Sequence, residues 1–429
     1  MLIHVVQQGD TIQSIAEYYG VPVDRLILDN GLENPDHLVI GQTIVITFPE
    51  KVYIVKEGDD LASIAKANDI TLMQLFRNNP FLIDRKYIYP GETLVIKYTT
   101  NGTITTHGNT LPFIDTNTLR KTLPFLTYLS ILNFTATKEG KIITYYDDTE
   151  IIRITKEYGV MPLMLLTTLT LKGEANIGIA YDILLNDDFQ KNQIENILNL
   201  LETKGYSGIN LSFEYINANN LKLYESYFTN LAKQLTDKGY YVFVTVNTNI
   251  SNIDNNPNIE RIDYSVLDQL AFNIIFMNYE WSTTINPPSP ISSIHNINLF
   301  LDYVNDFISG EKEIIGLAVI GYDWELPFSA GLSSVYSLTL ERAVNLALVV
   351  EAPISFDEIS QTPYFTYTIE VYGNQVAHIV WFIDARTINS LLDLVIKYQL
   401  HGIGIWSITI YNSQLWLVIN SQFEIEKVL

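Results

Sequence analysis

Short, nearly continuous apolar runs alternate along this chain with longer stretches in which apolar residues recur every three or four positions. The runs at 128–134, 161–169, 208–214, 240–246, 272–278, 314–321 and 401–408 predict strands. Between two of them, residues 187–204 place Ile194, Ile197, Leu198, Leu200 and Leu201 on one helical face and stop at Gly205. Residues 219–238 repeat the design and stop at Gly239. Helix, glycine stop and apolar strand in succession predict β/α units feeding a parallel sheet. A weaker run at 103–107 supplies an eighth strand. The expected class is therefore α/β, with a (β/α)8 TIM barrel over 101–429, preceded by two small βααβ modules described below. A doubly wound open sheet is the rival, but no Gly-rich phosphate loop follows any of these strands.

One strand differs from the rest. In Gly208-Ile-Asn-Leu-Ser-Phe-Glu214, side chains alternate, so Ile209, Leu211 and Phe213 share an apolar face, while Asn210, Ser212 and Glu214 share a polar one. The apolar face needs helices over it. The polar face then looks toward the barrel axis, with Glu214 at the strand tip where barrel enzymes carry their chemistry. Farther on, residues 363–384 predict a hairpin, with strands at 364–372 and 375–383 about a Gly373-Asn374 turn; it is inserted after the seventh strand and could form a wall of a groove.

The first hundred residues follow a separate rule. Residues 4–16 overlay residues 53–65 at a constant offset of 49, which is an internal duplication over 1–48 and 51–98. Gly9-Asp10-Thr11 and Gly58-Asp59-Asp60 each turn a strand into a helix, with Asp or Thr available to cap it. Gly41-Gln-Thr-Ile-Val-Ile46 and Gly91-Glu-Thr-Leu-Val-Ile96 close the two units.

Composition narrows the chemistry. A chain of 429 residues, 47% hydrophobic and 17% charged, has material for a large core. Cysteine is absent, which removes disulfides, thiol nucleophiles and thiolate metal sites. The six histidines lack ligand spacing, and no metal or cofactor is expected. A formal charge of −22 repels phosphate backbones, so nucleic acid is not an expected partner. Neither a signal peptide nor a membrane span is expected.

The duplicated unit closely resembles the LysM module, which binds polymers containing N-acetylglucosamine in a shallow groove. The resemblance implies one groove lined by Gly9, Asp10, Thr11 and the Asn30 loop, and another lined by Gly58, Asp59, Asp60 and the Asn79 loop. The Glu214 strand resembles the Asp-x-x-Asp-x-Asp-x-Glu motif of glycoside hydrolase family 18, with Ser207, Asn210 and Ser212 standing where the aspartates would be. Met277-Asn-Tyr-Glu280 is similar to that family's Met-x-Tyr-Asp segment, and Trp406 ends the last strand, where the family carries a tryptophan. Tyr279-Glu-Trp281, Pro287-Pro288, the 321–327 segment and Trp381-Phe-Ile-Asp-Ala-Arg386 extend the likeness to LysM-bearing family members of endospore formers, with a departure at Ile383.

What this resemblance implies is a retaining, substrate-assisted glycosidase. Glu214 would protonate the glycosidic oxygen, while the substrate's 2-acetamido carbonyl attacks the anomeric carbon. Tyr279 would hold the acetamido group, and Trp406 would stack beneath the sugar. Glu280 and Tyr322 would complete the groove. The implied substrate is spore cortex peptidoglycan, and the implied place is the boundary of spore coat and cortex, after synthesis in the mother cell. Ser212 keeps a second reading open: a catalytically weak or inactive peptidoglycan-binding coat protein, because a hydroxyl cannot supply the charge of the family's aspartate.

Overall fold

All eight predicted strands form, and each pairs in parallel with two neighbours. A computed structural model describes residues 1–428 apart from 170–175, 214–215, 249, 254–255 and 278–285. Thr103–Thr110, Tyr128–Ala136, Met161–Thr167, Gly208–Phe213, Tyr241–Asn247, Asn273–Met277, Glu313–Ala318 and Gly402–Trp406 follow one another around a ring. The last pairs with the first, Gly402 opposite Thr105 and Trp406 opposite Asn109, so the sheet closes as a (β/α)8 barrel. An open doubly wound sheet would leave two edges, and this ring leaves none.

Burial on both strand faces explains the near-continuous apolar runs. Ile209, Leu211, Val244, Phe276 and Ile405 point outward into the core shared with the helices. Tyr128, Met161, Leu163, Phe243, Ile275, Met277 and Ile314 fill the barrel interior. The helix Asp187–Lys204 shows how the outer layer is specified. Asn186 caps it by accepting from the amides of Asp188 and Phe189, two aspartates occupy its first turn, and Gly205 ends it in the left-handed conformation. Ile194, Ile197 and Leu201 are fully buried beneath it.

The strand predicted as weak runs three residues beyond its expected end, from Thr103 to Thr110. It reads as polar because its threonines serve loop carbonyls: Thr105 Oγ1 donates to the His401 carbonyl at 2.8 Å, and Thr106 Oγ1 donates to that of Phe125. Once these hydroxyls are satisfied, burial costs little.

Between the seventh and eighth barrel strands lies a five-stranded antiparallel sheet made of Gly321–Leu326, Val335–Leu338, Ser355–Asp357, Thr362–Val371 and Asn374–Trp381, with the helix Leu340–Val349. Its long hairpin turns on Tyr372 and Gly373, one residue earlier than expected, with φ of 51° and 80° and Val371 opposite Asn374. Two consecutive positive φ values define the tight hairpin turn favoured by right-twisted strands, and the register fixes which pair adopts them.

Each N-terminal unit is strand, two helices, strand. Leu2–Val5 pairs with Thr43–Ile46 around helices Ile12–Tyr19 and Val23–Asn30, and Lys51–Ile54 pairs with Thr93–Lys97 around Leu61–Ala67 and Leu72–Asn78. Thr11 and Asp60 cap their first helices, each in reciprocal hydrogen bonds with a serine three residues on. Arg25 joins the units, donating to Asn79 Oδ1 and to the Asn78 carbonyl, both at 3.0 Å. Among the described residues, no helix is long and apolar enough to cross a membrane.

Candidate active site

The barrel interior changes character from its base to its C-terminal mouth. Below the middle it is aromatic and aliphatic; above, neutral polar side chains join apolar ones among the described residues. Asn210, fully buried, donates from Nδ2 to Ser130 Oγ at 3.1 Å and accepts at Oδ1 from Thr245 Oγ1 at 2.9 Å. Ser130 Oγ lies 2.7 Å from His107 Nε2. Burial pushes the His107 pKa down to about 3, so the imidazole is neutral. The result is a four-residue chain of neutral groups across four strands. Sequence reasoning set His107 aside as structural and did not single out Ser130 or Thr245. The available signal was strand parity, which puts Thr105, His107 and Asn109 on one face.

Above this chain, Ser212 and Trp406 share a cleft with Asn109, Leu132, Leu165, Thr167, Leu169, Thr245 and Met277. Ser212 is half-buried, one inward step beyond Asn210 and opposite Thr245 on the next strand. Trp406, also half-buried, packs its inner side against the apolar interior. Gly316 makes room for Met277 there, since a Cβ at that position would fall 1.9 Å from the Met277 sulfur. Asn210, Ser212 and Trp406 are thus brought to one end of one barrel. Glu214, Tyr279 and Glu280 lie outside the described residues. The strands that lead to them, Gly208–Phe213 and Asn273–Met277, flank the same strand, Tyr241–Asn247. Among the described residues that line the cleft there is no carboxylate.

Tyr322 sits on the inserted sheet, half-buried, with its ring 5.5 Å from that of Trp324. It is opposite Trp381, which stacks on Tyr364 at 4.6 Å, so Tyr322, Trp381 and Tyr364 form one aromatic row. Asp323 points to the other face, where it accepts from Tyr367 Oη at 2.6 Å and lies 3.0 Å from His378 Nδ1; it neither lines the groove nor caps a turn.

In the repeats, Gly9, Thr11, Gly58 and Asp60 are exposed in their turns. Asp10 and Asp59 close those turns by accepting from the amides of Gln7 and Lys56, both at 2.7 Å. These backbone amides hold both carboxyls below the usual carboxylate range. Asn30 borders the cleft between the first unit and the barrel domain, whereas Asn79 is fully buried. Each is buried and bonds within its own unit, Asn30 to Leu26 and Val45, Asn79 to Leu75 and Val95, while its Oδ1 also accepts from a neighbouring unit, from Gln414 at Asn30 and from Arg25 at Asn79. They brace the helix end against the closing strand, because a buried primary amide must satisfy both its donor and its acceptor.

With the closed barrel, the polar mouth and the duplicated modules in hand, comparison with known proteins is decisive. The model for glycosyl hydrolases family 18 matches residues 97–410, and that for the LysM domain matches residues 4–47 and 53–97. The chain belongs to family 18 of the glycosyl hydrolases. It is a glycoside hydrolase carrying two LysM domains. It is 28% identical over 430 residues to the cortical fragment-lytic enzyme of Bacillus anthracis, covering 99% of both chains. It is 29% identical over 435 residues to the cortical fragment-lytic enzyme of Bacillus subtilis, covering 100% of this chain and 99% of that one. The crystal structure of the spore cortex-lytic enzyme SleL from Bacillus megaterium superposes with a TM-score of 0.80 at 28% identity, covering 100% of this chain and 99% of the other.

Proposed function

We propose that this protein is a retaining, substrate-assisted glycosidase that cleaves β-1,4 linkages at N-acetylglucosamine in spore cortex peptidoglycan during germination. The observation that carries the reading is the single cleft at the barrel mouth holding Ser212 and Trp406 at the ends of strands Gly208–Phe213 and Gly402–Trp406. Glu214, the next residue after the first of these strands, is the proposed acid and then base. Tyr279 is proposed to orient the acetamido oxygen so that it attacks the anomeric carbon in line, and Trp406 to support the sugar face. Asn210 keeps the strand interior closed beneath Ser212. Peptidoglycan is the proposed polymer for the LysM domains, and the coat and cortex region of the spore the proposed location; the cortex-lytic names of the full-length relatives support both.

Ser212, and the lack of a carboxylate among the described residues that line the cleft, favour a second reading, a slow or silent barrel that mainly binds. Incubating the protein with cortex fragments and with chitin oligomers, followed by mass analysis of the products, separates the two. The expected result is release of fragments ending in N-acetylglucosamine from cortex, and its complete loss in Glu214→Gln. Cortex left intact by the parent protein would rule out the enzymatic reading. Initial release of the α-anomer by NMR would rule out retention.

A further inference from the structure

The two LysM domains share a sequence pattern but not an environment. In each, the turn after the first strand lies against the loop before the last one through matching backbone bonds: Val6 N to the Gln42 carbonyl and Gly41 N to the Val6 carbonyl, both at 2.9 Å, and Val55 N to Glu92 and Gly91 N to Val55 at 2.9 and 2.8 Å. Position by position, His37, Val39 and Gly41 of the first unit answer to Tyr87, Tyr89 and Gly91 of the second.

The end of the first unit's loop packs on the barrel domain, and the rest borders a cleft against it. Val39 belongs to the main hydrophobic core, together with Ile354 and Ile388. The Ile354 amide donates to the Ile40 carbonyl at 2.8 Å, Arg386 donates to the Gly41 carbonyl at 3.3 Å, and Asn345 donates to Glu33 at 2.7 Å. Contact is so close that a Cβ on Gly41 would fall 1.9 Å from the Ile354 carbonyl oxygen, and one on Gly31 would fall 2.4 Å from Ser413 Oγ. In the second unit the loop is anchored at Asp84, to Asn117 and Lys121, and then runs clear. A Cβ on Gly91 would meet nothing within 4 Å, and Tyr87 and Tyr89 are 61% and 59% exposed. Exposed aromatic rings beside an exposed turn are the chemistry that sugar faces require.

We propose that the two domains divide the work: the second takes the glycan, on a shelf made by Gly58, Asp60, Tyr87 and Tyr89, and the first is a fixed bracket. This rests on the reading of the LysM domains as peptidoglycan binders. The bracket then sets the distance between the captured strand and the barrel mouth, since Arg25 fastens the second unit to the first.

Co-sedimentation of the full chain with insoluble peptidoglycan tests it. Replacing both Tyr87 and Tyr89 by Ala should weaken binding about tenfold. A matched pair in the first unit, Gln8→Ala with His37→Ala, should leave binding within about twofold of the parent. All four side chains are exposed, so thermal unfolding should stay at the parent value and exclude misfolding as the cause. Equal losses from the two pairs, or no loss from the tyrosine pair, would overturn the division of labour. A parent protein that does not sediment would instead overturn the peptidoglycan-binding reading itself.

Discussion

The two ends of the barrel treat charge in opposite ways. At the mouth, where the family places its aspartates, this chain has Asn210 and Ser212, and the described lining mixes apolar and neutral polar side chains. At the base, Glu313 begins its strand buried, with both carboxylate oxygens unbonded among the described residues, and burial pushes its pKa up to about 8. Lys427, half-buried, donates to the Leu126 carbonyl at 2.6 Å and to that of Leu123, and desolvation pulls its pKa down to about 7. Strongly shifted groups often mark active sites, yet Glu313 and Lys427 lie at the end where a barrel keeps stability rather than chemistry. A shifted pKa therefore identifies desolvation, and only position at the strand tips identifies function.

The largest test of this contrast restores a charge to the mouth. Ser212→Asp should raise the rate of cortex fragment release about a hundredfold, equivalent to roughly 3 kcal/mol of transition-state stabilisation, because a carboxylate there would face the developing oxazolinium. Measuring kcat on a soluble cortex oligomer decides it. A variant no faster than the parent would mean that Glu280 or another group already supplies the charge. The next test removes a neutral link. Asn210→Ala leaves Ser130 and Thr245 with unmet hydrogen bonds inside the barrel, and should cost about 2 kcal/mol of stability in urea unfolding. A cost near zero would show the chain to be incidental.

Much of this was legible in the sequence because barrel strands and their covering helices obey strict periodicities. The helix 187–204 was bounded correctly by its glycine stop and apolar face. What escaped were features set by partners distant in the chain. The 103–110 strand looked weak because its threonines bond to loops that sequence patterns do not reveal. The hairpin turn moved by one residue because register with the far strand, not the local Gly-Asn pair, chose the two positive φ values. Asn30 and Asn79 looked like loop residues, but their amides face inward. The neutral chain from His107 to Thr245 was invisible because it spans four strands, each contributing one unremarkable residue. For Glu214, Tyr279 and Glu280 the sequence motif remains the support.

The smallest expected effect lies at the base and carries a definite sign. Glu313 has its folded pKa raised from 4.5 to about 8, so between these values the folded protein binds more protons than the unfolded chain. Stability from this site is therefore complete below about pH 4.5 and is lost as pH rises toward about 8. Glu313→Gln keeps the shape and removes the titration. The variant should melt within about 1 °C of the parent at pH 5 and about 2 to 4 °C higher at pH 8. A gap that stays constant with pH would mean that Glu313 is ionised and partnered in the folded protein. The reading of Glu313 as a buried, protonated acid would then fail, while the chemistry proposed for the mouth would stand untouched.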